Sequence, residues 1–296
     1  MEMKLVSYQK ETGSSYRVGV LVDSESLVDV EMISKQYGEK QLPASPIDFY
    51  THATEHIETL QEVLHLATDY KKISLQEVRL GMPLGKAKKV ICVGTNYQEH
   101  INEMKTKIPD FPVLFAKFDN AIIGPEDDIF YPSITEKLDY EVELTVVIGK
   151  TASKVKKEDA FGYIAGFTLA NDTSARDLQK RTPQWLQGKS LDHTTPVGPW
   201  IVTKDEVSNP HHLNIRSYVN GEVRQSSNTE HLIFDIPFLV HFISEIMTLE
   251  PGDIILTGTP HGVGFAMEPA GLLQPNDRVK LEIEGIGVME NQVKKV

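Results

Sequence analysis

Leu138-Asp139-Tyr140-Glu141-Val142-Glu143-Leu144-Thr145-Val146-Val147-Ile148-Gly149 alternates as a β-strand does, with Tyr140, Val142, Leu144, Val146 and Ile148 on one face. The other face carries Glu141 and Glu143, followed by Thr145 and Val147. Two carboxylates about 4 Å apart repel by roughly 4 kcal/mol at an effective dielectric of about 20. If that face is buried, an opposing charge must offset the repulsion. A divalent cation held by hard oxygen donors is the usual solution. If the face is wet, two solvated glutamates need no partner. The rest of the chain decides between these readings.

The 296 residues, 40% of them hydrophobic, suffice for one well-buried domain or for a main domain with a smaller one. No apolar run approaches the ~18 residues of a membrane span. Met1–Leu5 lacks an apolar signal-peptide core, so no secretory leader is expected. The single cysteine, Cys92, excludes an internal disulfide and fits a reducing, cytoplasmic setting. A formal charge of −12 argues against nucleic acid as a partner, because phosphate binding needs a basic surface. It leaves room for a local basic pocket.

Residues 1–84 read as a small α/β unit without a chemical constellation, suited to packing or dimerisation. Strands are expected at Leu5–Tyr8, Tyr16–Val22, Ser26–Val30 and Ile73–Leu80, and a helix at Glu55–Tyr70. Gly85–Lys89 is the expected junction to a second unit, residues 85–296. There, Val90–Gly94 and Val113–Phe118 are strands, and Cys92 is a core residue. Between them, Thr95–Met104 forms a short helix that puts His100 and Glu103 on one face. Such a pair is either a surface contact or an imidazole made more basic by its carboxylate. The strand Tyr163–Ala170 ends in Asn171-Asp172, where Asp172 either serves a ligand or caps the helix carrying Arg176 and Gln179. Lys189, taken alone, would be a solvated side chain. Asn220-Gly221 marks a hairpin between Leu213–Val219 and Glu222–Gln225, and Asp235-Ile236-Pro237 starts a helix to Met247. The strand Ile254–Leu256 leads into Thr257–Gly264, a glycine-rich loop without the Gly-Lys-Ser/Thr ending of a phosphate loop. Val279–Ile283 and Val288–Val293 complete the strands.

Five of these segments occur in a familiar order. They are Gly94-Thr95-Asn96-Tyr97 with His100 and Glu103, then Asp139–Glu143, then Asn171-Asp172 with Ala175–Gln179. Gly188–Asp192 and Thr257–Pro260 with Gly262-Val263-Gly264 complete the set. From about residue 88 onward the chain resembles the fumarylacetoacetate hydrolase superfamily. Asp177–Arg181, Gly188–Asp192 and Met247-Thr248-Leu249 are most similar to its bacterial acylpyruvase and oxaloacetate decarboxylase-like branch. The resemblance implies an α+β, β-rich fold. It likewise implies a catalytic domain built as a rolled, barrel-like mixed sheet with the metal at its mouth, behind a small N-terminal α/β domain, and a homodimer.

The resemblance also assigns roles. Glu141, Glu143 and Asp172 are the expected ligands of Mg²⁺ or Mn²⁺, and His100 with Glu103 the acid–base pair on a segment that closes over substrate. Lys189 lies near the metal, while Arg176, Gln179 and Thr259 contact substrate. Lys117 stays outside the catalytic set. The implied reaction cleaves a carbon–carbon bond in a small 2-oxo acid through a metal-bound pyruvate enolate, by acylpyruvate hydrolysis or oxaloacetate decarboxylation. A second reading is an isomerase or decarboxylase of longer unsaturated 2-oxo dioic acids, with Arg181 a candidate for the far carboxylate. A third is a non-catalytic scaffold. His193 stands where a smaller residue is expected, and faces either the pocket or solvent.

Overall fold

Every residue of Val142–Ile148 is buried, so the alternation separates two cores rather than a dry face from a wet one. Val142, Leu144, Val146 and Ile148 enter one core and Val147 the other. The computed structural model describes residues 3–296 and places this strand inside a sheet covered on both faces.

The N-terminal segment forms β1 (Lys4–Gln9), β2 (Arg17–Leu21) and β3 (Ser26–Asp29), then helices α1 (Val30–Tyr37), α2 (Pro46–Thr51) and α3 (Ala53–Leu66). Asp29 caps α1 by accepting the Met32 N–H, and Ser45 caps α2 ahead of Pro46. The single strand expected over Ile73–Leu80 is instead β4 (Ile73–Ser74) and β5 (Arg79–Gly81). A 3₁₀ turn at Leu75–Glu77 breaks it, because the Ser74 hydroxyl takes the Gln76 N–H out of any ladder.

Next come β6 (Val90–Gly94), α4 (Gln98–Met104), β7 (Val113–Lys117), β8 (Ile122–Ile123) and β9 (Ile129–Tyr131). The strand expected from Leu138 is likewise two pieces, β10 (Leu138–Asp139) and β11 (Val142–Ile148). Tyr140 and Glu141 fall in the break. There the Glu141 N–H donates to the Asn171 side chain at 2.9 Å, and its carbonyl accepts the Asp172 N–H at 2.9 Å. The break thus ties Glu141 to the end of the neighbouring strand.

The chain continues through β12 (Ile164–Asn171), β13 (Ser174–Ala175), α5 (Arg176–Gln179), α6 (Leu186–Lys189) and β14 (Thr195–Thr203). β15 (Asn214–Val219) and β16 (Glu222–Asn228) form the expected hairpin, with Asn220 and Gly221 at φ 52° and 82° as a type I′ turn requires. Then follow α7 (Ile236–Ile246), β17 (Ile254–Leu256), β18 (Arg278–Ile283) and β19 (Gly287–Lys295).

The main sheet runs β4-β3-β2-β1-β14-β12-β11-β17-β6-β7. β1 pairs antiparallel with β14, so the N-terminal strands continue the sheet that carries the acidic strand. The architecture is mixed and strand-rich, as expected, and its sheets are open. Among the described residues the end strands β4 and β7 do not pair, so hydrogen bonds do not close a barrel. A second sheet, β16-β15-β18-β19-β9, contributes Ile215, Val279, Leu281 and Met289 to the core on one face, together with α7. α1–α3 cover the other face with Ile33, Phe49, Leu60 and Val63. Among the described residues no helix is long and apolar enough to cross a membrane.

Asp29 joins β3 to α1. It accepts from Arg17 Nε at 2.6 Å and Nη2 at 2.9 Å, and also from the Tyr8 hydroxyl and the Met32 N–H. Burial works to raise its carboxyl pKa, but these donors outweigh burial and hold it below the usual range. Its stabilisation is therefore complete above the unfolded Asp pKa of about 3.9 and is lost as pH falls through the depressed folded value. Asp29→Asn should cost about 2 kcal/mol in urea unfolding, less than the ~3–5 kcal/mol of a fully buried pair. The discount reflects an Arg17 side chain that is 35% exposed. The loss should shrink as pH falls below the carboxylate range, and a pH-independent loss would refute this account.

Candidate metal centre

β11 and β12 are antiparallel, with Val142 opposite Asn171 and Glu143 opposite Ala170. This register brings Glu141, Glu143 and Asp172 to one end of the strand pair. One carboxylate oxygen from each lies within 4.8 Å of the others, and all three side chains are buried. The buried-face reading of the Glu-x-Glu strand therefore holds.

Cations offset this concentration of charge. Lys189 Nζ donates to Glu141 Oε2 and to Asp172 Oδ2, both at 2.7 Å. Lys117 Nζ donates to Asp172 Oδ1 at 2.8 Å and to the Thr173 carbonyl at 3.0 Å. Arg176 bridges Asp139, through Nε at 2.8 Å, and Glu141, through Nη2 at 2.6 Å. The second contact lies off the N–H axis and is an ion pair without a hydrogen bond. Burial would raise the Glu141 carboxyl, but Arg176 and Lys189 hold it below its usual range. Burial would likewise lower Lys189, but Asp172 and Glu141 hold it above its usual value. Among the described residues Glu143 makes no direct ion pair. Burial, Asp172 and Glu141 push its carboxyl well up, opposed by Lys189 and the Gly258 N–H. Three hard oxygen donors this close, one of them without a direct ion pair among the described residues, fit a small divalent cation such as Mg²⁺ or Mn²⁺.

The glycine-rich loop after β17 holds three acidic side chains by its backbone. Gly258 N–H donates to Glu143 Oε2, Gly262 N–H to Glu103 Oε1 and Gly264 N–H to Asp139 Oδ1, each at 2.8 Å. Gly258 and Gly262 adopt φ of 110° and 95°, which side chains rarely allow. A Cβ on Gly264 would sit 2.8 Å from the very oxygen its N–H binds. The loop is no phosphate loop, as its sequence indicates, yet it cradles anions that belong to the protein itself.

A cavity of about 350 Å³ opens above the carboxylates, a size suited to a small metabolite. Val93, Phe115, Trp185 and Met104 give it apolar walls, and the three carboxylates, His100, Arg176, Gln179, Lys189 and Thr259 also line it. Gly94 makes room for the Trp185 ring, which a Cβ there would overlap. His100 Nδ1 is 3.1 Å from Glu103 Oε2, and Glu103 stands behind the imidazole rather than in the cavity wall.

The structure thus gathers every expected site residue but alters what some of them touch. Arg176 is committed to Asp139, Glu141 and Gln179 Oε1, so it positions a carboxylate. The Thr259 hydroxyl donates to the Val142 carbonyl and accepts from Gln225, so its proton is already engaged. Lys117, left out at the sequence level, is 2% exposed and bound to Asp172. A lysine ending an apolar strand was its only sequence signal. His193 is exposed and stacks on Phe130 outside the cavity, and Arg181 does not line it. Cys92 is buried, and burial pushes its thiol pKa well up, as suits a core residue.

The fold and site define a class of proteins that centre a small-molecule cavity on buried carboxylates suited to a cation. Residues 89–294 match the family model described as fumarylacetoacetate (FAA) hydrolase C-terminal. Over 293 residues the chain is 41% identical to a Bos taurus protein named oxaloacetate tautomerase FAHD2A, mitochondrial, covering 98% of this chain and 91% of that one. It is 39% identical over 297 residues to oxaloacetate tautomerase YisK of Bacillus subtilis (strain 168), covering 95% and 98%. A maleylpyruvate hydrolase from Sphingobium sp. SYK-6, solved with manganese(II) and pyruvate, superimposes with a TM-score of 0.79 at 29% identity, covering 99% of each chain. The chain belongs to the fumarylacetoacetate hydrolase family.

Replacing Glu141 and Glu143 together by alanine should abolish stoichiometric Mg²⁺ or Mn²⁺ binding measured by metal analysis after gel filtration. Wild type should gain about 2.7 kcal/mol of stability at a metal concentration of 100 Kd, and the double variant none. Glu143→Gln should melt no lower than wild type without metal, because a neutral amide replaces a carboxyl whose charged form burial, Asp172 and Glu141 already disfavour. Retention of metal by the double variant would refute the ligand set.

Proposed function

We propose that this chain interconverts the keto and enol forms of oxaloacetate or a closely similar short 2-oxo diacid, with Mg²⁺ or Mn²⁺ held by Glu141, Glu143 and Asp172. The observation that carries this reading is the His100–Glu103 pair beside the carboxylate centre. The near full-length similarity to two proteins named oxaloacetate tautomerase supports it.

When bound, the cation would supply Lewis-acid polarisation of the substrate's carboxylate and 2-oxo oxygens, worth several kcal/mol. The chain's own residues handle the proton. Glu103 occupies His100 Nδ1, which leaves Nε2 as the ring nitrogen available to substrate. Taking a proton from C3 onto Nε2 leaves the C–H electron pair to form the C2–C3 double bond, and the carbonyl electrons move onto the C2 oxygen. Protonation of that oxygen completes the enol, and the reverse sequence restores the ketone. Gly262 N–H fixes Glu103, so the imidazole is oriented before substrate arrives. The Lys189 ammonium favours negative charge at the C2 oxygen. Phe115 and Trp185 keep that charge out of bulk water.

Carbon–carbon cleavage is the second reading. The maleylpyruvate hydrolase relative, solved with manganese(II) and pyruvate, favours it. The same imidazole would then activate water against the distal carbonyl of an acylpyruvate, or protonate C3 after oxaloacetate loses carbon dioxide.

The test dilutes enol-oxaloacetate into buffer and follows loss of enol absorbance alongside pyruvate release, with Mg²⁺, Mn²⁺ or excess chelator. Acetylpyruvate serves as the hydrolytic comparison. We expect chelator-sensitive enol loss well ahead of pyruvate release, with kcat falling by about 10²–10⁴-fold in His100→Asn. Pyruvate release that keeps pace with enol loss would transfer the assignment to cleavage. Metal-loaded protein inert toward both substrates would remove both readings.

A further inference from the structure

Three cationic side chains line the cavity: Arg176, Lys180 and Lys189. Arg176 and Lys189 are engaged by carboxylates of the metal centre. Lys180 has no carboxylate partner among the described residues. Its ammonium sits instead 3.6 Å from the centroid of the Phe265 ring.

That placement is built into the same frame as the site. Lys180 immediately follows α5, four residues beyond Arg176, and therefore faces the same side one turn on. Residues so spaced have Cβ atoms ~5–6 Å apart, a span of the same order as a four-carbon diacid. Phe265 is held by its own N–H, which donates to Asp139 Oδ2 at 3.0 Å, and Asp139 also binds Arg176. The ring that supports Lys180 and the guanidinium that supports Glu141 are thus fixed by one carboxylate.

We propose that Lys180 reads the distal carboxylate of the substrate and so makes the site selective for short 2-oxo diacids over 2-oxo monoacids; this rests on the function proposed above. The 2-oxo acid head lies against the carboxylate centre, and the far carboxylate docks on the ammonium over Phe265. Burial, with Arg176 and Lys137 nearby, lowers the Lys180 pKa, which marks a positive field that an incoming anion relieves. Arg181, the sequence-level candidate for this task, does not line the cavity, whereas its neighbour does.

Pyruvate is oxaloacetate without the distal carboxylate, so the pair isolates the contact. Calorimetric titration of the Mg²⁺-loaded protein should show oxaloacetate binding weakened by about tenfold or more in Lys180→Gln. Pyruvate binding should stay within about twofold, as befits a substitution outside the head site. Lys180→Arg should recover most of the oxaloacetate affinity. Lys180 is exposed, so these variants should fold, and matched melting curves check that they do. Equal weakening for both ligands would make Lys180 a general support of the site and overturn the proposal. No change for either would overturn it as well. If wild type binds oxaloacetate through Lys180 but does not catalyse its tautomerisation, the diacid subsite stands and the proposed reaction falls.

Discussion

Repulsion among buried carboxylates is the constraint on which the rest of this structure depends. Glu141, Glu143 and Asp172 meet because β11 and β12 pair in one register, and they are buried because both faces of that sheet are covered. Burial removes the water that would otherwise screen them and makes each uncompensated charge expensive. Lys117, Lys189 and Arg176 answer this by direct contact, each from a different element. A one-residue slip of β11 would turn Glu143 toward the opposite core and away from Asp172, which follows β12 and stays with Lys117 and Lys189. Register, layering and ion pairing therefore support one another.

The glycine loop solves a second part of the same problem. An acidic side chain can be fixed by a cation, which changes the charge of the site, or by a backbone N–H, which does not. Glu143, Glu103 and Asp139 each take an N–H from Thr257–Gly264. The loop orients three anions without adding charge beside them. Glycine is needed because the backbone must approach closely and turn through positive φ at Gly258 and Gly262. Phosphate loops use the same donors on a bound ligand, which explains why the compositions look alike while the targets differ.

The acidic strand, the Asn-Gly hairpin, the capped helix after Asp235 and the order of the motifs were all legible, since each is a local pattern with a local cause. What was not legible depends on contacts between distant segments. The break at Tyr140–Glu141 exists because Asn171, thirty residues on, takes the Glu141 N–H. Lys117 looked like a strand-end lysine until the fold set it against Asp172. Arg176 lines the cavity where a substrate contact was expected, but its pairing with Asp139 and Glu141 was not legible. The pairing of β1 with β14 joins segments far apart in the chain, and no local pattern encodes it.

Charge balance links the site to the kind of molecule it would take. Asp139, Glu141, Glu143 and Asp172 are four carboxylates facing three fixed cations, Lys117, Arg176 and Lys189, which leaves one negative charge. Glu143 is the residue on which that surplus falls, and its raised pKa is the metal-free answer to it. A divalent cation would allow all four to ionise and turn the surplus into one positive charge. Lys180 at the cavity rim, stacked on Phe265 and without a carboxylate partner among the described residues, would add a second. A site so loaded is short of two negative charges, the complement that a short 2-oxo diacid carries and a monoacid does not. Without Lys189, Glu141 and Asp172 would lose the ammonium they share, and each would be left with a single cation, Arg176 and Lys117 respectively.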